Sequence, residues 1–544
     1  MKKIMEGDVL DMNKNVVIGN AWPYANSSLH LGHIAGLISG EILARYHRLN
    51  GDRVMFVSGS DCHGTPITER ARKEGISPDE IASHYDNEFR ELFGKLNFSY
   101  DLFSATKTDY HKEHVKTLFR KLYDNGYIYE KIEPQCFCEK CNKFLADREV
   151  VLTCPECGEE TKGDQCDKCL HVPTAEELIG GNCIVCGSKT VEKDNKILYL
   201  KLPAFQKQIE EHTKEVNSGW RINARNETDK YLKQGLVERA VSRDLIWGVE
   251  IPVDGYNDKR MYVWIDAVLG YVTDTMKVCE DRGWNWEEFW KEGYDTKIYM
   301  CHGKDNIVFH SIILNALLLG QEDNYHLVDT IVSTEYLNYN DQKFSKSKKI
   351  GMTALEALEI YPVDSLRYHL VSNGPEKKDT NFTPDDFAST HNGELLNKFG
   401  NLVNRTLKFK NLDKIIATDI DAEIKKRIES IYSEVGDLIE KLEFREATSR
   451  IMGLVEMANK YYDSREPWKQ RKEDENGFNE TMFTCSNIIA NLSNLFEPIM
   501  PGTCAKIREY LDLDEPTWNP IFLGKDVELV NKNIEPLFER LKLD

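Results

Sequence analysis

The stretch NAWPYANSSLHLGHIAGLISGEILARYHR, Asn20–Arg48, decides how the rest of this 544-residue chain is read. Before it, Asn15-Val16-Val17-Ile18 is a short apolar run with the character of a buried strand. After it, Ile34, Leu37, Ile38, Ile42 and Tyr46 recur at helical spacing. Pro23, Asn26, Ser27 and Ser28 form a loop between the two. His30 and His33 therefore stand at the start of a helix that follows a strand. A helix start offers backbone N–H groups and partial positive charge, which suit phosphate. Gly32 removes a side chain where a ring or phosphate would approach, and the two histidines, three apart, share a helix face.

Working outward, Arg53-Val54-Met55-Phe56-Val57 reads as a second buried strand running into the polar turn Ser58–Pro66. Ser77-Pro78-Asp79-Glu80 is a capped helix start. Strand, helix, strand implies a parallel sheet, in which ligands sit at the carboxyl ends of strands. Asp61 falls there: its carboxylate suits an ammonium group, although Asp is also an ordinary turn residue. Lys297–Cys301 reads as another strand, followed by His302-Gly303-Lys304-Asp305 and an apolar helix carrying His310. Asp244–Gly248 and Met261–Ala267 have sheet-like composition, although Trp264, Ala267 and Tyr271 are spaced to line one wall if the second segment bends into a helix. Ser333–Tyr339 alternates, and Lys343-Phe344-Ser345-Lys346-Ser347-Lys348-Lys349 is a basic loop beyond it. From about residue 393 the pattern is helical throughout, with Ile424, Ile428, Ile431, Val435, Leu438 and Leu442 in one stripe, as in a helix bundle.

Of the 14 cysteines, nine lie between 136 and 186, and eight of these form four C-x-x-C pairs: Cys138/Cys141, Cys154/Cys157, Cys166/Cys169 and Cys183/Cys186. Four such pairs suit two closed tetrahedral zinc sites rather than a redox motif. The shortest spacer joins the middle two pairs, so a nested arrangement, middle with middle and outer with outer, has the lowest closure entropy. Cys136 is left as a spectator. The length implies several domains. No apolar run is long enough to cross a bilayer, and no secretory h-region opens the chain. The net charge of −20 excludes bulk electrostatic binding of nucleic acid, so any RNA contact needs local basic patches. A cytoplasmic, reducing setting is expected.

His-x-Gly-His resembles the signature of the class I aminoacyl-tRNA synthetases, and the longer PYANSSLHLGH resembles methionyl-tRNA synthetases in particular. The segments FLADREVVLTCPECG, GDQCDKC, VWIDAVLGY, KFSKS and NLVNR are similar to that family in the same order. The resemblance implies an α/β fold: a Rossmann-like parallel-sheet catalytic domain, a zinc-knuckle connective insert and a C-terminal α-helical bundle. The expected stretches are 1–120 and 246–330 for the two catalytic halves, 121–245 for the insert, 331–392 for the KMSKS-type loop and stem-contact region, and 393–544 for an anticodon-binding bundle. It implies catalytic roles for His30, His33, Lys343 and Lys346. ATP binding falls to His30, Gly32, His33, Gly303, Asp305 and Lys346. Methionine binding falls to Trp22, Tyr24, Asp61, Trp264, Ala267, Tyr271 and His310. Anticodon contact falls to Asn401, Arg405 and Trp468, beside a Lys/Arg-bearing surface.

The implied partners are L-methionine, tRNA(Met) and ATP with Mg2+, and the implied cofactor is structural Zn2+, two per chain. No membrane is involved, and since the chain ends soon after the bundle a monomer is expected. The sequence departs from the common family pattern at Trp22, Val268 and Asn306 in the amino-acid pocket. It also carries Phe344 in the basic loop and Lys348-Lys349 after it. A small nucleotidyl transferase would lack the insert and bundle. A non-catalytic zinc-knuckle RNA-binding protein would not retain the histidine pair and the lysine loop.

Overall fold

The computed structural model describes residues 14–145, 149–163, 166, 168–169, 171, 173–344, 350–530 and 532–542. Its centre is a five-stranded sheet. The spatial order is Thr330–Thr334, Thr296–Gly303, Asn15–Asn20, Arg53–Ser60, Leu102–Ala105, and every neighbouring pair is parallel. The strands expected at Asn15–Ile18, Arg53–Val57 and Lys297–Cys301 are present, each extended by two or three residues. Alternate side chains enter two cores. Val16, Ile18, Val54, Phe56, Tyr299 and Cys301 face one side; Val17, Met55, Val57, Ile298 and Met300 face the other. A sheet covered on both faces needs apolar residues at every position, so its strands read as continuous hydrophobic runs. Successive strands leave the first one in opposite directions, so the order reverses between Asn15–Asn20 and Thr296–Gly303. That reversal opens a crevice at the strands' carboxyl ends.

Met261–Ala267 departs from its sheet-like composition. Only Arg260–Met261 is strand, and Val263–Arg282 is a helix buried against the sheet. Asp244–Gly248 is not a strand either; two-residue strands sit nearby at Arg239–Ala240 and Ser242–Arg243. Buried helices and buried strands are both apolar all round, and β-branched content does not separate them. The insert is built on Ile128–Cys138 paired antiparallel with Val191–Leu200. It carries a small three-stranded sheet of Val150–Thr153, Glu160–Lys162 and Asn182–Cys183.

Helices Ala422–Glu440, Phe444–Arg465 and Glu475–Leu495 form the heart of the bundle. Its apolar core is continuous with one face of the sheet. Arg367, fully buried, donates to the carbonyls of Leu96 and Ile499 and to Glu41, fastening bundle to sheet. The helical pattern does not run to the end. Beyond Leu511 the chain is irregular, apart from Val527–Glu528 pairing with Lys414–Ile415. Pro516, Pro520 and Pro536 break any helix there. Trp518 returns this segment to the catalytic part: its N–H donates to Leu49 and its indole meets Tyr46 edge-on at 4.9 Å.

Candidate active site

His30 is the N-cap of the Leu31–Leu49 helix. Its Nδ1 accepts from the backbone N–H of Gly32 at 3.1 Å, and the backbone N–H of His30 donates to His33 Nδ1 at 3.1 Å. Both Nδ1 atoms are thus acceptors, which leaves the proton on each Nε2. The imidazoles do more than share a face, since they cap the helix and lie 3.8 Å apart. A Cβ at Gly32 would sit 3.0 Å from the His30 ring, so a larger residue there would press on the capping imidazole. Both histidines line a cavity of about 420 Å3 with Gly32, Trp22, Gly303, Asp305 and Lys343. Five of the six residues expected at an ATP site, His30, Gly32, His33, Gly303 and Asp305, therefore line one cleft. Phe344 stacks on His30 with centroids 4.4 Å apart and planes 3° from parallel.

Gly303 ends its strand, and Asp305 lies in the single turn Lys304–Asn306 after it. The Tyr336 hydroxyl donates to Asp305 Oδ1 at 2.6 Å. Tyr336 also lies under Lys343, whose Nζ is 4.7 Å from the ring centre. Burial and Asp305 together push the Tyr336 hydroxyl up to about 12. Lys346 falls outside the described residues.

Behind this cavity lies an aromatic chamber. Tyr24 meets Trp264 edge-on at 5.8 Å, and Trp264 stacks on Phe309 at 4.1 Å. The Tyr271 hydroxyl donates to His310 Nε2 at 2.8 Å, while His310 Nδ1–H donates to the Asn306 carbonyl. Burial pushes His310 down to about 4, which keeps it neutral. His302 stacks on it at 4.4 Å. Ala267, buried on the Val263–Arg282 helix, carries the small side chain of that segment. Trp22 is the wall between cavity and chamber: it lines the first and meets Tyr271 edge-on in the second. Two glycines admit its indole. A Cβ at Gly59 or Gly270 would come within 2.6 or 2.5 Å of it. The large residue at 22 is thus accommodated by small ones on facing elements.

Asp61 lies at the chamber's edge, tied to the 23–25 loop by backbone bonds to Pro23 and Ala25. It is buried, and desolvation reinforced by Asp266 pushes its carboxyl well above the usual range. His63 joins the two acids: its N–H donates to Asp61 at 3.3 Å and its ring Nδ1 to Asp266 at 2.9 Å. Burial pushes His63 down to about 3. A ligand ammonium would satisfy the ionised form of Asp61, which burial and the neighbouring Asp266 disfavour. Sequence reasoning missed Phe309, Tyr336, His63 and Asp266. Phe309 adjoins His310 in the chain, so only its neighbour was a signal.

The thiols gather in the nested arrangement. Cys138 and Cys186 are 3.4 Å apart and Cys141 and Cys183 3.8 Å; Cys154–Cys169 and Cys157–Cys166 are each 3.5 Å. Within each tetrad all four sulfurs lie within 4.8 Å of one another. Tetrahedral Zn–S bonds of ~2.3 Å imply sulfur–sulfur edges of about 3.8 Å, so both tetrads fit a zinc ion. With four thiolate ligands such a site is closed to substrate. Cys136 is buried beside the first tetrad and belongs to neither.

In the bundle, Arg405 lies 3.8 Å over the Tyr462 ring, and Tyr462 is 6.4 Å from Trp468. Asn401 is one turn before Arg405 on the same helix. The Trp468 indole is 46% exposed, uncommon for so large an apolar group, and so offers a stacking face. Arg405 is also paired with Asp463.

A doubly wound sheet with a histidine-capped helix at its switch point and an aromatic cluster beside it is the architecture of a class I aminoacyl-tRNA synthetase. The family of class I tRNA synthetases (M) matches residues 16–407, and the anticodon binding domain of methionyl tRNA ligase matches residues 415–530. The chain is 44% identical over 530 residues to methionine–tRNA ligase 1 of Alkaliphilus oremlandii, covering 97% of each chain. It is also 44% identical over 536 residues to methionine–tRNA ligase of Bacillus mycoides, again covering 97% of each. A solved Mycobacterium tuberculosis methionyl-tRNA synthetase, in complex with methionyl-adenylate, shares the fold with a TM-score of 0.78 at 23% identity, covering 97% of this chain and 100% of that one. The chain belongs to the methionyl-tRNA synthetase family. Among the described residues no helix is long and apolar enough to cross a membrane.

Proposed function

We propose that the chain joins L-methionine to tRNA(Met) in two steps, with methionyl-adenylate as the intermediate. The carrying observation is the single wall, Trp22, shared by a phosphate-suited cavity and an aromatic chamber. In the first step a methionine carboxylate oxygen attacks the α-phosphorus of ATP. The bond from that phosphorus to the bridging oxygen breaks, and pyrophosphate leaves. No protein nucleophile is required; the chain supplies position and charge. His30 and His33 present Nε2–H donors to the phosphates, and Lys343 and Lys346 neutralise departing pyrophosphate. Gly32 and Gly303 let the nucleotide approach the backbone, and Asp305 exchanges Tyr336 for the ribose hydroxyls. Mg2+ bound with ATP adds further charge neutralisation.

Asp61 holds the ammonium, and Tyr24, Trp264, Ala267, Tyr271 and His310 enclose the thioether, a polarisable group suited to aromatic edges. In the second step the terminal ribose 2′-hydroxyl attacks the activated carbonyl and AMP leaves. The labour is divided along the stretches 1–120, 121–245, 246–330, 331–392 and 393–544. The tetrads hold structural zinc in the second, and Asn401, Arg405 and Trp468 read the anticodon in the last. The enzyme acts as a cytoplasmic monomer. The test is ATP–pyrophosphate exchange with each amino acid in turn, followed by charging of tRNA. Exchange driven by methionine is expected; exchange driven by leucine or valine instead overturns the substrate assignment.

A further inference from the structure

We propose that Tyr336 competes with the ribose hydroxyls of ATP for Asp305, and that its displacement frees Lys343 for the triphosphate. Tyr336 is then a positioning residue that ties ribose recognition to the basic loop. The inference rests on the ligase reading above and deepens it by naming what couples the two ends of the nucleotide.

The competition follows from donors and acceptors. Asp305 offers a pair of carboxylate oxygens, and a grip on two neighbouring ribose hydroxyls uses both. The Tyr336 hydroxyl occupies Oδ1 at 2.6 Å, and both residues line the cavity of about 420 Å3 with His30, His33 and Gly303. The phenol stays protonated through the neutral range, so it donates to that carboxylate at any ordinary assay pH. The nucleotide must therefore break one charge-assisted bond to make its own. Tyr336 cannot follow Asp305 toward the ribose. Its N–H donates to Asp379 Oδ1 at 2.9 Å, and its carbonyl accepts from the Thr380 N–H at 3.0 Å. The next residues, Leu337–Tyr339, pair with Thr380–Phe382. With the backbone pinned, the hydroxyl leaves Asp305 by a swing of the ring.

A pair of ammonium groups rests on that ring. Lys304 Nζ lies 4.0 Å and Lys343 Nζ 4.7 Å from its centre. The two are held differently. Lys304 donates to Glu335 Oε2 at 2.6 Å and to Asp379 Oδ1 at 3.1 Å, so it stays in place when the ring moves. Lys343 makes no ion pair among the described residues, and its Nζ rests on the ring instead. Donation to a carboxylate also enriches the ring in electron density, so loss of Asp305 weakens the same contact. Displacement of Tyr336 therefore releases Lys343, the lysine assigned above to departing pyrophosphate, and leaves Lys304 bound to its two acids.

The test measures nucleotide binding to the full-length enzyme without amino acid, using ATP and 2′,3′-dideoxy-ATP, which lacks both hydroxyls. Tyr336→Phe keeps the ring and removes the competing hydroxyl. It should widen the preference for ATP over the dideoxy nucleotide by about three- to tenfold and lower the KM for ATP in methionine-dependent exchange. Loss of a residue that merely supported the fold would raise that KM or lower kcat instead. In an Asp305→Ala background the same substitution should leave the preference where it was. Release of Lys343 is read with adenosine, which carries the ribose and no phosphate. Acylation of Lys343 by a lysine-directed reagent, followed by peptide mass, should rise about threefold with adenosine and stay constant with 2′,3′-dideoxyadenosine. The coupling is overturned if Tyr336→Phe leaves the preference unchanged or narrows it, or if the gain persists beside Asp305→Ala. It is equally overturned if adenosine and its dideoxy form act alike on Lys343. Because binding is measured without amino acid, an enzyme that shows the expected pattern yet exchanges with leucine or valine would overturn the methionine assignment alone.

Discussion

Val16, Val17 and Ile18 are wholly buried, and the strands beside them feed two extensive apolar cores. Among the described residues, the apolar cluster around the cysteine knuckle has seven buried members, Cys136, Cys138, Leu145, Val150, Leu152, Leu178 and Cys183, of which three are cysteines. The sheet is held by area removed from water, at ~25 cal/mol per Å2. So small a cluster as the insert's leaves its shape to the sulfurs. The comparison sets a region held by apolar burial alone beside one whose fold is expected to depend on an ion held by its two cysteine tetrads.

The strongest way to break that contrast is to remove metal. Structural zinc sites of this kind contribute on the order of 10–16 kcal/mol of apparent binding energy. Chelation, or Cys154→Ser, is therefore expected to expose 138–186 to protease while backbone amides of 15–60 keep their protection from hydrogen exchange. Equal loss of protection in both regions would erase the distinction. A second variant acts within the region held by apolar burial. His33→Ala should reduce adenylate formation by ~100- to 1,000-fold, as loss of a preorganised donor does elsewhere. Its cost in stability should stay near 1 kcal/mol, the scale of a lost helix cap; rapid kinetics and thermal melting read the two separately.

Asp61 sharpens the contrast, because a well-formed core there holds a carboxyl in an unfavourable state. Its folded pKa is raised, so the charged form that binds an ammonium fills only as pH climbs through that raised value. Methionine affinity should rise over that interval and then level off. The same shift costs stability: the penalty is absent below the unfolded carboxylate pKa and grows as pH rises through the interval. Asp61→Asn should flatten the binding profile and raise the KM for methionine by about tenfold, equivalent to ~1.4 kcal/mol. Titration of binding from acid to neutral pH decides this. An effect of similar size, confined to tRNA, is expected far from both regions. Trp468→Ala should weaken tRNA binding by about tenfold, within the ~1–3 kcal/mol range of a stacked base, and leave exchange untouched. A drop in exchange would mean that the exposed indole supports the catalytic part after all.

Local signals were legible. Ser77 and Glu80 form the reciprocal cap their spacing implies, and His30 sits at the strand-to-helix junction. The nested thiol pairing follows the shortest spacer. Met261–Ala267 was not legible, since its apolar residues suit a buried strand as well as the buried helix it forms. The irregular segment after Leu511 was hidden by the helical pattern before it, although its prolines were in view.

The chain's order of residues determined the central strands, the caps and the four cysteine pairs, because each depends on neighbours within a few positions. Only the tertiary structure decided that His63 joins Asp61 to Asp266 across 203 positions, that Gly59 and Gly270 make room for Trp22, and that Phe309 backs Trp264. Those contacts arise from how distant elements pack, and no periodicity along the chain encodes which side chains meet.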